Sequence, residues 1–222
     1  MFPTSHRPVV AIYSLGLLFF GASHLVAGEP LPAPWKDQDI GAGEAPGTAE
    51  YVGGVWTLQG TLDLWGPADG CHFAWQPLHG DGELVARVTA MENPGGVAHA
   101  KASLCLRESL EPGARGVTIC VTPGDGTQFL YREHKDEKTV RILANAEAQK
   151  TALPKGQFPC WLKIVRRGDE VSGYESADGE KWILSGKITL PLATDTAIGL
   201  AASSHKKDIL TKAVFDHVNV AK

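Results

Sequence analysis

The stretch CWLKIVRRGDEVSGYES, residues 160–176, decides the fold. In its first half Trp161, Lys163, Val165 and Arg167 alternate with Cys160, Leu162, Ile164 and Arg166. Side chains of a strand point to opposite faces in turn, so one set faces a core and the other faces outward. Gly168-Asp169 then offers a tight turn, and Glu170–Ser176 reads as a returning strand. The same pattern recurs along the chain. Ala49–Leu58 is broken at Gly53-Gly54, which reads as a hairpin tip, and short runs follow at His72–Gln76, Glu83–Val88, Lys101–Glu108, Val117–Thr122 and Gln128–His134. Trp182–Ile188, Ala197–Ser203 and Lys212–Val220 complete the set. Many short strands separated by Gly, Pro and Asp turns predict an all-β, two-sheet antiparallel sandwich. Residues 137–153 are rich in Ala, Lys, Glu and Gln, yet Val140, Ile142 and Ala144 alternate, which predicts an edge strand running into a loop.

At the N-terminus, His6 and Arg7 precede an apolar run from Val9 to Phe20, and Val26, Ala27 and Gly28 follow. A positive start, an apolar middle and a small-residue exit predict a secretory signal peptide over residues 1–28, the alternative being an uncleaved membrane anchor, and an extracytoplasmic protein, secreted or periplasmic. Residues 29–34 form a Pro-rich lead that suits neither helix nor central strand. The sandwich is expected over residues 35–222. With 43% hydrophobic and 21% charged residues the chain can build a core. A formal net charge of −4 argues against a nucleic-acid partner, which needs a basic surface. No second apolar run is long enough to span a bilayer, so no membrane partner is expected once the leader is removed.

The four cysteines, Cys71, Cys105, Cys120 and Cys160, all follow the predicted leader. If Pro112-Gly113 is a hairpin tip, Cys105 lies opposite Cys120 and the two could form a disulfide; the alternative is that each is a small buried apolar residue. No C-x-x-C or nearby His pair gives zinc-ligand spacing. Asp69, Asp81, Asp125 and Asp178 are loop oxygens of the kind calcium uses, but no run has dense acidic spacing, so neither metal nor cofactor is expected.

These segments resemble the concanavalin-like lectin/glucanase superfamily, and within it exported modules related to the regulator-of-enolase family. The resemblance is carried by PWKDQDIG (34–41), DLWGPAD (63–69), GDGELVARV (80–88) and LCLRESL (104–110). It continues through VTPGDG (121–126), WLKIVR (161–166), SADGEKW (176–182) and AVFDHV (213–218). It implies two packed antiparallel sheets in a jelly roll, one of them concave, and a link to glycan binding. It says little about activity, because one scaffold hosts many functions. Glucanases of this superfamily set two carboxylates at period-two spacing on one strand face, one as acid and one as nucleophile. No strand-like run here has that spacing, so no catalytic residue is assigned. Glu133–Glu137 reads as a solvated turn, and Ser176-x-Asp178-Gly179-x-x-Trp182, one residue short of an Asp-box, reads as a structural turn.

Sugar rings stack their C–H faces on aromatic side chains, while their hydroxyls need amide, carboxylate or guanidinium partners. Trp65, His72, Trp75, Gln76, Tyr131 and Arg132 fall where a cleft would be lined, whereas Trp56 and Trp161 are assigned to the core. Arg107 shares a face with Lys101, Ser103 and Cys105, where it either forms a cross-strand ion pair or reaches ligand hydroxyls from the concave face. Three readings follow: a non-catalytic module binding polysaccharide or glycan, a glycoside hydrolase or lyase with an unusual acid/base pair, and a structural or protein-docking domain. An open cleft lined by Trp and Arg favours the first, paired carboxyls in that cleft the second, and a filled concave face the third.

Overall fold

The computed structural model describes Met1 and residues 30–93, 95–143 and 152–222. The predicted signal peptide therefore lies outside the described residues, Met1 apart. In chain order the strands are β1 (Lys36–Ile40), β2 (Thr48–Val52), β3 (Val55–Leu62), β4 (Cys71–His79) and β5 (Gly82–Glu92). Next come β6 (Lys101–Arg107), β7 (Gly116–Thr122), β8 (Gly126–Arg132), β9 (Val140–Ile142) and β10 (Cys160–Arg167). The last four are β11 (Glu170–Ser176), β12 (Ile183–Thr189), β13 (Asp195–Ser203) and β14 (Lys206–Ala221). They form two antiparallel sheets of seven strands, ordered β1-β4-β13-β6-β7-β8-β9 and β12-β11-β10-β5-β14-β3-β2. Among the described residues there is no helix, and the all-β two-sheet sandwich expected from the alternation is what the chain forms.

Period two sets what enters the core. From the second sheet Trp56, Leu58, Leu84, Ala86, Val88, Cys160, Leu162 and Ile164 point inward; from the first, Leu104, Leu106, Ile119, Phe129 and Leu200 meet them. Gly173 and Gly186 stand opposite each other on β11 and β12. A Cβ on either would come within 2.5 Å of the Phe129 ring, so the two glycines form the slot that seats it. The Gly53-Gly54 tip is as expected, with φ of +58° and +90° that suit glycine. Residues 140–142 form an edge strand as anticipated, while 144–151 of the same segment lie outside the described residues.

Two expectations need correction, and one strand was not anticipated. Trp161 is not core, because Cys160, Leu162 and Ile164 occupy the inward positions. It lies on the outer face, beside Gly179, with the Arg87 guanidinium 5.7 Å and the His217 ring 5.2 Å from its ring. The 36–40 segment is strand β1, added at the edge of the first sheet against β4. The β6–β7 hairpin does not turn tightly at Pro112-Gly113: Cys105 faces Thr118, and Cys120 faces Ser103. The loop carbonyls of Ser109, Glu111 and Pro112 turn inward to Arg107, which widens the loop and shifts the register by two residues. The cysteines are all free and buried, and burial pushes the Cys105, Cys120 and Cys160 thiols up to about 12.

Candidate functional site

The outer face of the first sheet, where the cleft was expected, is filled at its centre. β6 and β7 are buried nearly throughout, on both faces. The chain between β3 and β4 folds over them, closed by Gly70 N–H donating to Asp63 O at 2.7 Å. Leu64 from this loop packs with Ile40, Cys71, Phe73, Cys105 and Ala201 in a second apolar cluster, flanked by Trp75 and Leu110. Asp69 from the same loop takes both arginines. Arg132 grips it in a fork, Nη2 to Oδ1 at 2.6 Å and Nη1 to Oδ2 at 2.8 Å, and Arg107 Nη1 donates to Oδ2 as well. Gly116 of β7 stands in register between the two arginines, where a Cβ would come within 2.5 Å of the Leu106 carbonyl oxygen. Burial opposes the Arg107 charge, yet nearby Asp69 outweighs it and raises the guanidinium above its ordinary value.

Most of the predicted ligand residues are thus committed to structure. Arg107 does lie on the face expected from the alternation, but it is 2% exposed and bonded to the loop, not to a neighbouring strand. Arg132 is equally buried. His72 lies opposite Asp39, with Nδ1 2.8 Å from Asp39 and Nε2 3.0 Å from Asp37, so both ring nitrogens clamp β1 to β4. Gln76 shares its strand face with Ala74 and Leu78, and Tyr131 with Phe129, which places both on the core side of the sheet. Trp75 is partly buried against the second cluster, its indole N–H without a partner among the described residues. Arg107 and Arg132 meet on Asp69, but the seven do not gather into one site. Trp65 alone remains open, 47% exposed.

Trp65 borders a pocket of about 240 Å³ at one end of the first sheet, lined also by Asp63, His99, Lys101, Asp125, Gln128, Arg141 and His205. Lys101 opens β6 and is buried; its Nζ donates to Asp63 Oδ1 at 2.5 Å and to His99 O at 2.9 Å. His205, in the β13–β14 turn, sets Nδ1 2.6 Å from the other Asp63 oxygen. Asp125, in the β7–β8 turn, accepts from Gln128 Nε2 at 3.0 Å and lies 3.0 Å from His99 Nδ1. The two imidazole rings lie beside each other, tilted by 59°, with centroids 5.3 Å apart. His205 has φ +61° and Leu62, whose carbonyl accepts from its N–H at 2.6 Å, has φ +63°. Such backbone strain in residues other than glycine gathers at functional sites.

Sequence reasoning missed most of this pocket because its residues come from five separate turns and strand ends. One signal was available: DLWGPAD supplies Asp63, Trp65 and Asp69 together, of which Trp65 was read as a ligand residue, Asp69 only as a loop oxygen, and Asp63 not at all. Asp63 and Asp125 are two carboxylates in one pocket, but each already holds donors, an arrangement that positions imidazoles rather than protonating a glycosidic oxygen. Among the described residues no three His, Cys, Asp or Glu side chains gather as a metal-binding group. The Ser176–Trp182 turn is structural, as expected. Asp178 accepts from the N–H groups of Lys181 and Glu180 and from Ser176, which pull its carboxyl down to about 2.

No family model matches the chain, and no curated protein matches it. Solved structures do. A functionally unknown protein from Saccharomyces cerevisiae superposes with a TM-score of 0.62 at 14% identity, over 84% of this chain and 96% of that one. The carbohydrate-binding module CBM66 from Bacillus subtilis gives 0.54 at 15%, over 85% and 95%. Lectin I-B4 from Griffonia simplicifolia gives 0.50 at 9%, over 87% and 96%. At these identities the likeness is one of fold: this chain is a two-sheet antiparallel jelly-roll sandwich.

Proposed function

We propose that the chain is a non-catalytic, exported binding module that takes carbohydrate in the pocket beside Trp65. The observation that carries the reading is the pairing of a half-exposed indole with fixed polar groups. The ring face suits sugar C–H bonds, while Gln128 and the outward nitrogens of His99 and His205 suit hydroxyls. At about 240 Å³ the pocket is small among ligand sites, and fits one ring better than a long chain. That both a carbohydrate-binding module and a lectin share the fold supports the reading without fixing the glycan. Export rests on the pattern of residues 1–28, and kinship with the regulator-of-enolase-related modules on the segments that resemble them.

Isothermal titration against soluble polysaccharides and their monosaccharides tests this. Binding that weakens about tenfold or more in Trp65→Ala, a loss of about 1.4 kcal/mol, is the expected result. The filled centre of the sheet face favours a docking domain instead, and a panel silent for wild type and variant alike would move the reading there. Release of reducing ends from the same polysaccharides would establish an enzyme; none is expected.

A further inference from the structure

We infer that His99 and His205 together form a site for a transition-metal ion of the zinc type, at the mouth of the same pocket. The inference rests on the ligand-site reading for the pocket's openness, but its chemistry is separate. Each imidazole has a carboxylate at Nδ1: Asp63 at 2.6 Å from His205 and Asp125 at 3.0 Å from His99. For His205 this is a hydrogen bond, the arrangement by which metal-binding histidines are oriented, while Asp125 makes only an ion-pair contact with His99; in both rings the carboxylate lies on the Nδ1 side and leaves Nε2 for an ion. No hydrogen bond to either Nε2 is formed among the described residues, and both side chains are substantially exposed.

The ring spacing fits as well. A Zn–N bond is about 2.0–2.1 Å and a ring centre lies about 1.1 Å further, so two imidazoles at a tetrahedral angle have centroids roughly 5.2 Å apart. Here they are 5.3 Å apart and tilted by 59°. Electrostatics permit the ion, since the carboxylates of Asp63 and Asp125 balance Lys101 and Arg141 around the pocket. The two histidines are 106 positions apart and come together only when the β13–β14 turn is laid beside the start of β6. His205 holds its ring there from a left-handed backbone that a glycine would adopt more easily. Two protein nitrogens leave coordination positions to water or to neighbouring hydroxyls of a bound sugar, so the ion would sit between protein and glycan.

Tag-free full chain, stripped with EDTA and dialysed, is titrated with zinc chloride in a calorimeter. One ion per chain is expected. His99→Ala and His205→Gly should each weaken uptake at least about tenfold, and Asp63→Asn, whose carboxylate orients His205 through Nδ1, by about 10–100-fold. His99→Gln serves if the alanine variant fails to fold. Wild-type protein that takes up no zinc at millimolar concentration, or histidine variants that bind it as tightly as wild type, would overturn the inference. Polysaccharide titrations with and without EDTA separate the two readings. Glycan binding without zinc uptake removes the metal site alone; zinc uptake lost in the histidine variants, with no response to any glycan, supports the metal site and removes the carbohydrate reading.

Discussion

Replacing Asp69 by asparagine keeps the size of the side chain and removes the one negative charge between two buried guanidinium groups. Most hydrogen bonds survive the change. Arg132 still donates to Ala114 O at 2.9 Å, Glu137 O at 2.8 Å and Gly66 O at 3.0 Å, and Arg107 to Glu111 O at 2.8 Å. What is lost is the countercharge, leaving two cations out of water, and breaking a buried ionic group from one side costs about 3–5 kcal/mol. Domains of this kind are stable by about 5–15 kcal/mol, so the loss is a large share of the total. In urea the midpoint should fall by about 1–2 M with an unchanged slope. Thermal melting should fall by roughly 6–20 °C. Asp69 also anchors the loop that carries Asp63 and Trp65, so ligand binding should weaken in the same variant. Glu92→Gln, which removes an exposed pair with Lys212, is the control and should change little. A loss from Asp69→Asn of under about 1 kcal/mol would refute the reasoning, because the network would then behave like a solvated surface pair.

Gly173→Ala should destabilise the chain by about 1–3 kcal/mol in urea melts, since its Cβ would meet the Phe129 ring at 2.5 Å and both sheets would have to part. Ellman's reagent should find almost no reactive thiol in the folded protein and all four after denaturation without reductant; fewer than four would reveal a disulfide. Glu175 is buried, chiefly for which reason its carboxyl is raised above the ordinary range, with Thr127 as its side-chain partner. Its raised folded value contributes stability below the unfolded one, and this is lost as pH rises through the folded value. Glu175→Gln should therefore be more stable than wild type at neutral pH, with the gap closing in acid. Asp178 has the opposite sign: its contribution is present above 3.8 and lost as pH falls towards about 2, so Asp178→Asn should flatten the acid limb of a pH–stability curve.

The strands were legible because alternation is a local property. Cys160–Arg167 and Glu83–Val88 carry their alternating sets in their own sequence, and each became a strand, although on the first the face with Cys160, Leu162 and Ile164 turned inward and not the one with Trp161. The functional face was not, because whether an outward residue meets water depends on what another part of the chain lays over it. Lys101, Ser103, Cys105 and Arg107 do share a face, as the alternation says. Nothing within those seven residues tells that Leu64 and Asp69 fold down on them. A polar stripe on a strand reads the same whether it lines a cleft or is paired with an unseen loop; only the partner separates the two cases. His72 misled in the same way, its use set by Asp37 and Asp39 on a strand that was not anticipated.

Filling the middle of the sheet displaces the open surface to its end. A loop that supplies Leu64 to an apolar cluster and Asp69 to two arginines is held at both places, and Trp65 between them is left pointing away. The indole is thereby fixed by its neighbours without being covered, which removes the ordering penalty a mobile aromatic would carry on meeting a ligand. Asp63, at the loop's start, is pinned by Lys101 and in turn aims His205. The buried network and the pocket are therefore one construction: the contacts that close the expected cleft are the ones that orient the side chains of the surviving site. On this argument, loss of Asp69 and loss of Trp65 reach the same pocket by different routes. The first should lower stability and binding together, and the second should lower binding with melting unchanged.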